Sequence, residues 1–422
     1  KALDFCFSTD TDGDHLIENT QQGHGWEEGG DLYGTHTTQY MVSCWAEALE
    51  QAAYMAKNIG LPDLAASYDK EHLIVLQTLN KNFWNAQTGF FNHGLYKDGT
   101  YLVEPSVMTA VPVYWKQFND QQHVKSVVEQ IASCNFTTDW GTRIVSEKAK
   151  FFAPGGYHTG SVWPLFTGWA SLSDYAAGYP AQGFSKMMSN LLVYKNWSLG
   201  YIEEVLHGTE YKYFGVCRHQ AWSETMVLQP AIEGMLGFEP DALNHTVGLS
   251  FNFPPDWDSV QVENIRTGQN VLNFTMTRNA QNTTIDFNNL LDATPLHMNL
   301  AIPMAAGEKI SSLLVDGHSV SFTQTPSGIV LGLTAGARHH ITISHEGGIS
   351  VLPLVYHPAP GDSSTGLKII SDAWTGNKYI VRVEGLSGTP GKIRLIRSGK
   401  VFEHAFTFPV STEKYVRIDL EF

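Results

Sequence analysis

The chain has 422 residues, enough for two or three domains with sizeable cores. Its 27 basic residues face 42 acidic ones, a net charge of −15 with no basic run, so nucleic acid and anionic membranes are poor partners and a neutral substrate fits better. No apolar stretch has the length of a membrane span.

In chain order, the first motif is Asp10-Thr11-Asp12-Gly13-Asp14, which has the opening of a calcium loop. The full pattern needs Gly at the sixth position and Glu at the twelfth, where His15 and Gln21 stand, so a pocket-shaping turn is expected and no metal. Gly25-Trp26-Glu27-Glu28-Gly29-Gly30 follows. Beyond Thr37 the run Tyr40, Met41, Cys44, Trp45, Ala48, Leu49 and Ala52 recurs every three or four residues and predicts a helix that Gly60 and Pro62 stop. Further helices are expected over Leu64–Phe83, Ser106–Phe118 (kinked or broken by Pro112), Gln121–Ala132, Gly160–Tyr175, Ala181–Tyr194 and Gln220–Leu236. Past Gly237 the texture becomes short β-rich runs between Gly, Asn, Asp and Pro. These are Val247–Phe253, Val260–Ile265, Val271–Thr277, Thr283–Phe287, Leu296–Ile302 and His340–Ile343, a spacing that predicts an antiparallel sandwich. Tyr379–Val383, Lys392–Ile396, Val401–Phe408 and Tyr415–Leu420 continue the strands, after a Pro358–Ser364 stretch that reads as a linker or a long loop. The fold class is therefore α+β and multidomain, with residues 1–238 helical, 239–347 a sandwich, and 348–422 either part of it or a small accessory domain.

Cys6, Cys44, Cys134 and Cys217 are scattered and match no zinc spacing, so buried thiols are expected rather than a disulfide framework. The chain starts at Lys1 without a signal-like segment, and is read as a mature protein or a piece of a longer one. Matches to the glycan acceptor pattern, such as Asn135-Phe136-Thr137, arise readily in an Asn-rich chain and do not decide the compartment. A secreted or periplasmic setting is favoured over a cytoplasmic one.

Two acidic clusters carry the chemistry. In Trp26-Glu27-Glu28 an indole beside the carboxyls desolvates them and favours the protonated form that a general acid needs, although a solvated acidic loop is the plain alternative. Tyr201-Ile202-Glu203-Glu204-Val205-Leu206-His207-Gly208, then His219-Gln220-Ala221-Trp222-Ser223, is more polar. Two carboxyl sites whose environments separate their pKa values suit an acid and a base, the pair that glycosidic hydrolysis requires. A third segment, Tyr157-His158-Thr159-Gly160-Ser161-Val162-Trp163-Pro164, offers His158 to sugar hydroxyls and Trp163 to a sugar face, or else a helix start with a core Trp. No Gly-x-Ser-x-Gly elbow accompanies it. The expected substrate-binding set is Trp26, Tyr157, His158, Trp163, His207, His219, Gln220 and Trp222.

These three segments resemble the six-hairpin (α/α)6 toroid glycosidases, most of all the amylo-α-1,6-glucosidase domain of glycogen debranching enzymes and more distantly glucoamylases. The resemblance covers residues 10 to 236. It implies an inverting hydrolase without a cofactor, with Glu28 or Glu27 as acid and Glu204 or Glu203 as base. Glucoamylase-like sequences favour Glu27, whereas debranching-like bacterial sequences favour Glu28, the preferred choice. In the toroid family the acid segment follows several helices, whereas here about seven helices all come after it. A partial toroid is therefore expected, completed by a missing N-terminal portion or a second subunit that covers its apolar faces. The implied substrate is an α-linked glucoside within an oligosaccharide or polysaccharide, attacked from its end. A rhamnosidase- or arabinosidase-type hydrolase of the same superfamily and a non-catalytic carbohydrate-binding fragment are the alternatives.

Overall fold

The structure is a computed structural model, and it describes residues 1–20, 25–291, 295–325 and 328–422. Gln21 of the calcium-loop comparison lies outside them. The described residues form two compact units, a mixed α+β, multidomain architecture. The first comprises Lys1–Ala177, Ser189–Met226 and Tyr356–Thr365, and the second Gly178–Met188, Val227–Val355 and Gly366–Phe422.

Eight α-helices occur among the described residues: α1 (Ala2–Ser8), α2 (Gln39–Asn58), α3 (Pro62–Asn82), α4 (Ala110–Tyr114), α5 (Gln121–Ala132), α6 (Pro164–Ala176), α7 (Pro180–Leu192) and α8 (Ala221–Gln229). Helix α1 carries no periodic signal long enough to be expected from sequence. Helix α2 buries Met41, Val42, Trp45, Leu49, Ala52 and Ala53 along one face, the face that its periodicity predicts. Helix α5 starts where the Asp120 carboxylate accepts from the Gln122 N–H at 2.7 Å, and it buries Val124, Val127, Val128 and Ile131. The helix expected over Ser106–Phe118 is reduced to a 3-10 turn, Val107–Thr109, and the short α4, because Pro112 cannot donate to the helical ladder.

Two other expectations need correction. Residues 160–163 are not helical: Trp163 is extended (φ −110°, ψ 108°), as a residue before proline must be, and α6 begins at Pro164. Helix α8 ends at Gln229 and passes into a π-helical turn, Pro230–Met235, since Pro230 removes a donor. Within the first unit α6 and α8 approach closely at Gly168, where an added Cβ would lie 2.3 Å from the Met226 Cβ.

Short β-pairings then hold the loops of the first unit side by side. Thr137–Thr138 pairs with Gly141–Thr142, and isolated bridges join Arg143 to Val162, Val162 to Leu206, and Leu206 to Tyr213. The Val162 and Leu206 N–H groups each donate to the other residue's carbonyl, at 2.8 and 2.9 Å. Arg143 is buried and donates to the carbonyls of Cys134, Asn135 and Gly208, tying three loops with one fork.

In the second unit a six-stranded and a five-stranded sheet share one core containing Val247, Phe251, Phe274, Met298, Leu300 and Ile343. Their strands alternate burial, as in Leu296–Pro303. All pairings in these two sheets are antiparallel but one: Leu296–Pro303 runs parallel to Thr246–Ser250. This corrects the expectation of a purely antiparallel sandwich. A hairpin could not make this pair, because the intervening chain builds the other sheet first.

The C-terminal strands form two three-stranded sheets over a separate core, with Val351, Tyr379, Val381, Val383, Ile393 and Leu395. There the Tyr379 hydroxyl donates to Asp372 at 2.7 Å and accepts from the Val351 N–H at 3.1 Å. All four cysteines are free thiols. No described helix is long and apolar enough to cross a membrane. Tyr379→Phe strands both partners of that hydroxyl, so the C-terminal core should lose roughly 1–3 kcal/mol in urea unfolding, with native far-UV circular dichroism retained.

Candidate functional site

The two acidic clusters meet at one dipeptide. His158 Nε2 lies 3.1 Å from Glu28 Oε2, and the Tyr157 hydroxyl donates to Glu204 Oε1 at 2.7 Å. Tyr157 is pushed far above the ordinary phenol range, first by burial and then by Glu204, with Glu28 adding to the push. Both carboxylates therefore act on the same phenol. Glu28, Gly29, Gly30, Tyr157, His158 and Thr159 line a cavity of about 460 Å³.

The backbone explains why the dipeptide sits there. The Val162–Leu206 bridge sets the 153–160 turn beside the 203–208 segment, and the Gly208 N–H donates to the Pro154 carbonyl at 2.7 Å. The approach is so close that a Cβ on Gly208 would meet the Gly160 carbonyl oxygen at 2.1 Å, and one on Gly160 the Ala153 oxygen at 2.3 Å. Only glycine fits at either point.

In the first cluster, Trp26 holds φ at +82°, a conformation uncommon for a bulky residue that costs on the order of 1–3 kcal/mol. Its indole is packed edge-on against Trp163, Phe166 and His158, with centroids 4.9, 5.0 and 5.2 Å away. The following residues then diverge. Glu27 is buried, with Oε1 3.3 Å from His93 Nε2, whereas the Glu28 side chain is 69% exposed beside the cavity. Trp163 is fully buried and donates its indole N–H to the Tyr157 carbonyl at 2.9 Å, so it supports the dipeptide from beneath.

In the second cluster both carboxyls are buried: Glu204 is 6% exposed and reaches Tyr157, while Glu203 is 0% exposed. Burial raises the Glu203 carboxyl from 4.5 to about 7, against weaker pulls from the backbone N–H groups of Glu203 and Ser198 and from Arg218.

The contacts thus join Trp26, Glu28, Tyr157, His158, Trp163 and Glu204 into one group. The other expected residues lie outside that set of contacts. His207 is lowered from its ordinary value by burial and then by Lys212, and its Nδ1 accepts from the Glu210 N–H at 3.3 Å. His219 is exposed, stacked near Tyr201 with its Nε2 3.2 Å from Glu224. Gln220 caps the start of α8 through its carbonyl, which accepts from the Ser223 and Glu224 N–H groups, and Trp222 is exposed on that helix.

Sequence reasoning missed His93, Arg143, Asp139 and Tyr211, all buried. Asp139-Trp140 could have been noticed as an acid beside an indole within a tight turn, the same signal that singled out Trp26-Glu27.

Asp12, Glu18 and His36 place their ligand atoms within 4.8 Å of one another, as do Asp10, Asp12 and Asp14. These groups are engaged locally: Thr11 donates to Glu18, the Gly13 and His15 N–H groups to Asp10, and the Asp14 N–H to Asp12.

The site thus gathers one carboxylate from each pair, Glu28 and Glu204, around aromatic side chains. The model of the mannosylglycerate hydrolase MGH1-like glycoside hydrolase domain matches residues 8–223, about half the chain, and the chain belongs to this family. Among solved structures it is similar to a sialidase, at 15% identity over 62% of this chain and 26% of that one, with a TM-score of 0.54. It is also similar to the α-L-rhamnosidase from Dictyoglumus thermophilum, at 9% identity over 81% of this chain and 36% of that one, with a TM-score of 0.52. A GH63 mannosylglycerate hydrolase from Thermus thermophilus, in complex with glucose, matches with 15% identity over 46% of this chain and 47% of that one (TM-score 0.39). Such identities speak to fold alone. The chain spans only 26% of the sialidase and 36% of the rhamnosidase. No curated protein sequence matches it.

The buried Glu203 yields a pH-dependent outcome. Its folded pKa lies above the unfolded value, so the penalty is absent near pH 4.5, grows as pH rises, and is complete above about 7. Glu203→Gln should therefore melt like the parent near pH 4.5 and be more stable by up to roughly 3 kcal/mol above pH 7. Equal melting temperatures for the two proteins across that range would contradict the assignment.

Proposed function

We propose that this chain is the downstream part of an inverting, exo-acting hydrolase of α-linked glycosides, with glucosides as the first candidate substrate. The observation that carries the reading is the Tyr157-His158 dipeptide, which touches Glu28 on one side and Glu204 on the other.

Glu28, on the cavity wall, is the general acid: it protonates the glycosidic oxygen as the bond to the anomeric carbon breaks. Glu204 is the general base: it takes a proton from the water that attacks that carbon from the opposite face. Single displacement needs the two carboxyls about 6.5–9.5 Å apart, with room for the water between them. Tyr157 orients Glu204 by its hydrogen bond, and His158 holds Glu28. Glu27, beside His93, and Glu203, fully buried, make no hydrogen bond or ion pair with the Tyr157-His158 dipeptide and are read as parts of the frame.

The helices are read as one portion of an (α/α)6 toroid. Helix α3 buries only Ala65, Val75 and Leu79 of its 21 residues, while Leu64 and Leu73 are exposed, as are Met55 and Ile59 on and just after α2. Such surface calls for cover, which further toroid helices from an upstream portion of the polypeptide would supply. The debranching-type resemblance of the three motifs favours glucosides. The rhamnosidase-like fold over most of the chain keeps a rhamnoside as the second reading.

A panel of aryl α-glucosides, α-rhamnosides and α-arabinosides, with mannosylglycerate, assigns the sugar on a chain carrying the upstream helices. Proton NMR of the first product should show the inverted anomer; the retained anomer would remove the single-displacement mechanism. Glu28→Gln and Glu204→Gln should each lower kcat by roughly 10²–10⁴-fold while calorimetric sugar binding persists. Undiminished turnover in Glu204→Gln would overturn the base assignment.

A further inference from the structure

The segment Tyr356–Thr365 belongs by its contacts to the first unit, although the chain on either side of it belongs to the second. It follows the sandwich in sequence, yet it is hydrogen-bonded to Asp139 and Tyr211 of the first unit.

Its centre pairs with Tyr211. The Tyr211 N–H donates to the Asp362 carbonyl at 2.7 Å, the Gly361 N–H donates to the Tyr211 carbonyl at 2.9 Å, and Glu210 bridges to Ser363 in antiparallel sense. Its end is anchored by a buried acid: Asp139 accepts from the Ser364 hydroxyl at 2.9 Å and from the Thr365 N–H at 2.7 Å. Inside the segment, the Asp362 carboxylate accepts from the Ala359 N–H at 2.8 Å, which closes a turn around Pro360 and Gly361.

Both anchor points lead to the same place. Trp140, the residue after Asp139, donates its indole N–H to the His207 carbonyl at 3.0 Å. The Tyr211 ring lies between Trp140 and Trp197, with centroids 5.5 and 4.8 Å away, and its hydroxyl accepts from the Asn196 amide at 2.7 Å. Tyr211 is pushed up to about 12, chiefly by burial; Asn196 pulls it down and Glu203 adds to the rise. Leu206, two residues after Glu204, bridges to Tyr213, and the His207 N–H donates to the Lys212 carbonyl at 3.1 Å. The 206–213 hairpin that follows the base is thereby gripped at its turn by the strap and along its side by Asp139-Trp140.

We infer that Tyr356–Thr365 is a positioning strap for the general base: Asp139 and the Tyr211 backbone clamp it over the 206–213 hairpin, and the clamp fixes where Glu204 stands. This inference rests on the reading of Glu204 as base, and adds to it a residue, Asp139, that acts through others and touches no substrate.

Hydrogen–deuterium exchange on the whole chain tests the clamp without any substrate. In Asp139→Ala, amides of both 356–365 and 204–212 should exchange faster by roughly tenfold or more, with α2 and α5 unchanged. Asp139→Asn, which keeps one acceptor oxygen, should restore part of the protection. Ser364→Ala removes a single bond at the same anchor, and serves if Asp139→Ala does not fold; a smaller change in the same two segments is expected. Faster exchange confined to 356–365, with 204–212 as protected as in the parent, would overturn the inference. In turnover assays Asp139→Ala should lower kcat by about tenfold or more with KM within about twofold, and Asp139→Asn should recover most of it. An equal kcat in all variants would also refute the clamp's effect on the base. If the protein carrying the upstream helices, in which these turnover assays are run, turns over no glycoside, the functional reading fails, while the exchange pattern still decides whether strap and hairpin are coupled.

Discussion

The site depends on one backbone contact, the mutual pairing of Val162 with Leu206. That bridge places a turn bearing Tyr157-His158 against a segment bearing Glu203-Glu204, which lies far along the chain. Because Gly160 and Gly208 have no side chains, carbonyl oxygens come within a distance that any Cβ would forbid. From a buried position Arg143 donates to the Gly208 carbonyl and to those of Cys134 and Asn135, which ties the segment after Leu206 to a neighbouring loop. Without this packing the two carboxylate pairs would have no common neighbour.

The two carboxyls of each pair meet different surroundings. Adjacent residues on extended or turning backbone point to opposite sides, so a Glu-Glu dipeptide gives its two carboxyls different neighbours. After Trp26, whose positive φ is accompanied by three aromatic neighbours, Glu27 meets His93 and Glu28 meets His158. In the second cluster Glu203 is fully buried while Glu204 reaches Tyr157. The first members of the two pairs differ in kind: Glu27 has a histidine beside it, whereas Glu203 lies in surroundings that favour its neutral form.

Much of this was legible in the residues, and what was not has a common cause. The apolar periodicity of α2 and α5 and the strands over 271–277 and 296–302 follow from local pattern, and the structure has them within a few residues. The Tyr-His-x-Gly-Ser-Val-Trp-Pro segment stood out because His158 and Trp163 suit a sugar and the segment resembles one of the toroid glycosidases. Its start was misread as helix, since the pairing that keeps 160–163 extended comes from Leu206, far downstream. His93, Asp139 and Tyr211 went unnoticed for the same reason: each is defined by a partner that no sequence window contains. Trp163 looks like a sugar platform in sequence, and only its complete burial shows that it carries Tyr157. The two members of a Glu-Glu pair are likewise indistinguishable by composition.

The parallel pairing of Thr246–Ser250 with Leu296–Pro303 has a consequence for how the sandwich comes into being. Its first strand emerges from the ribosome with no neighbour available on that side, and must wait while Ser259–Asn289 is synthesised. During that interval Val247 and Leu249, both buried in the finished molecule, are exposed to solvent and to other nascent chains. Short edge strands such as Glu239–Asp241, which pairs with Thr246–Ser250 by a tight antiparallel turn, can shield one flank early. One flank of the strand is thus paired with its sequence neighbour from the start, while the other stays open until Leu296–Pro303 arrives.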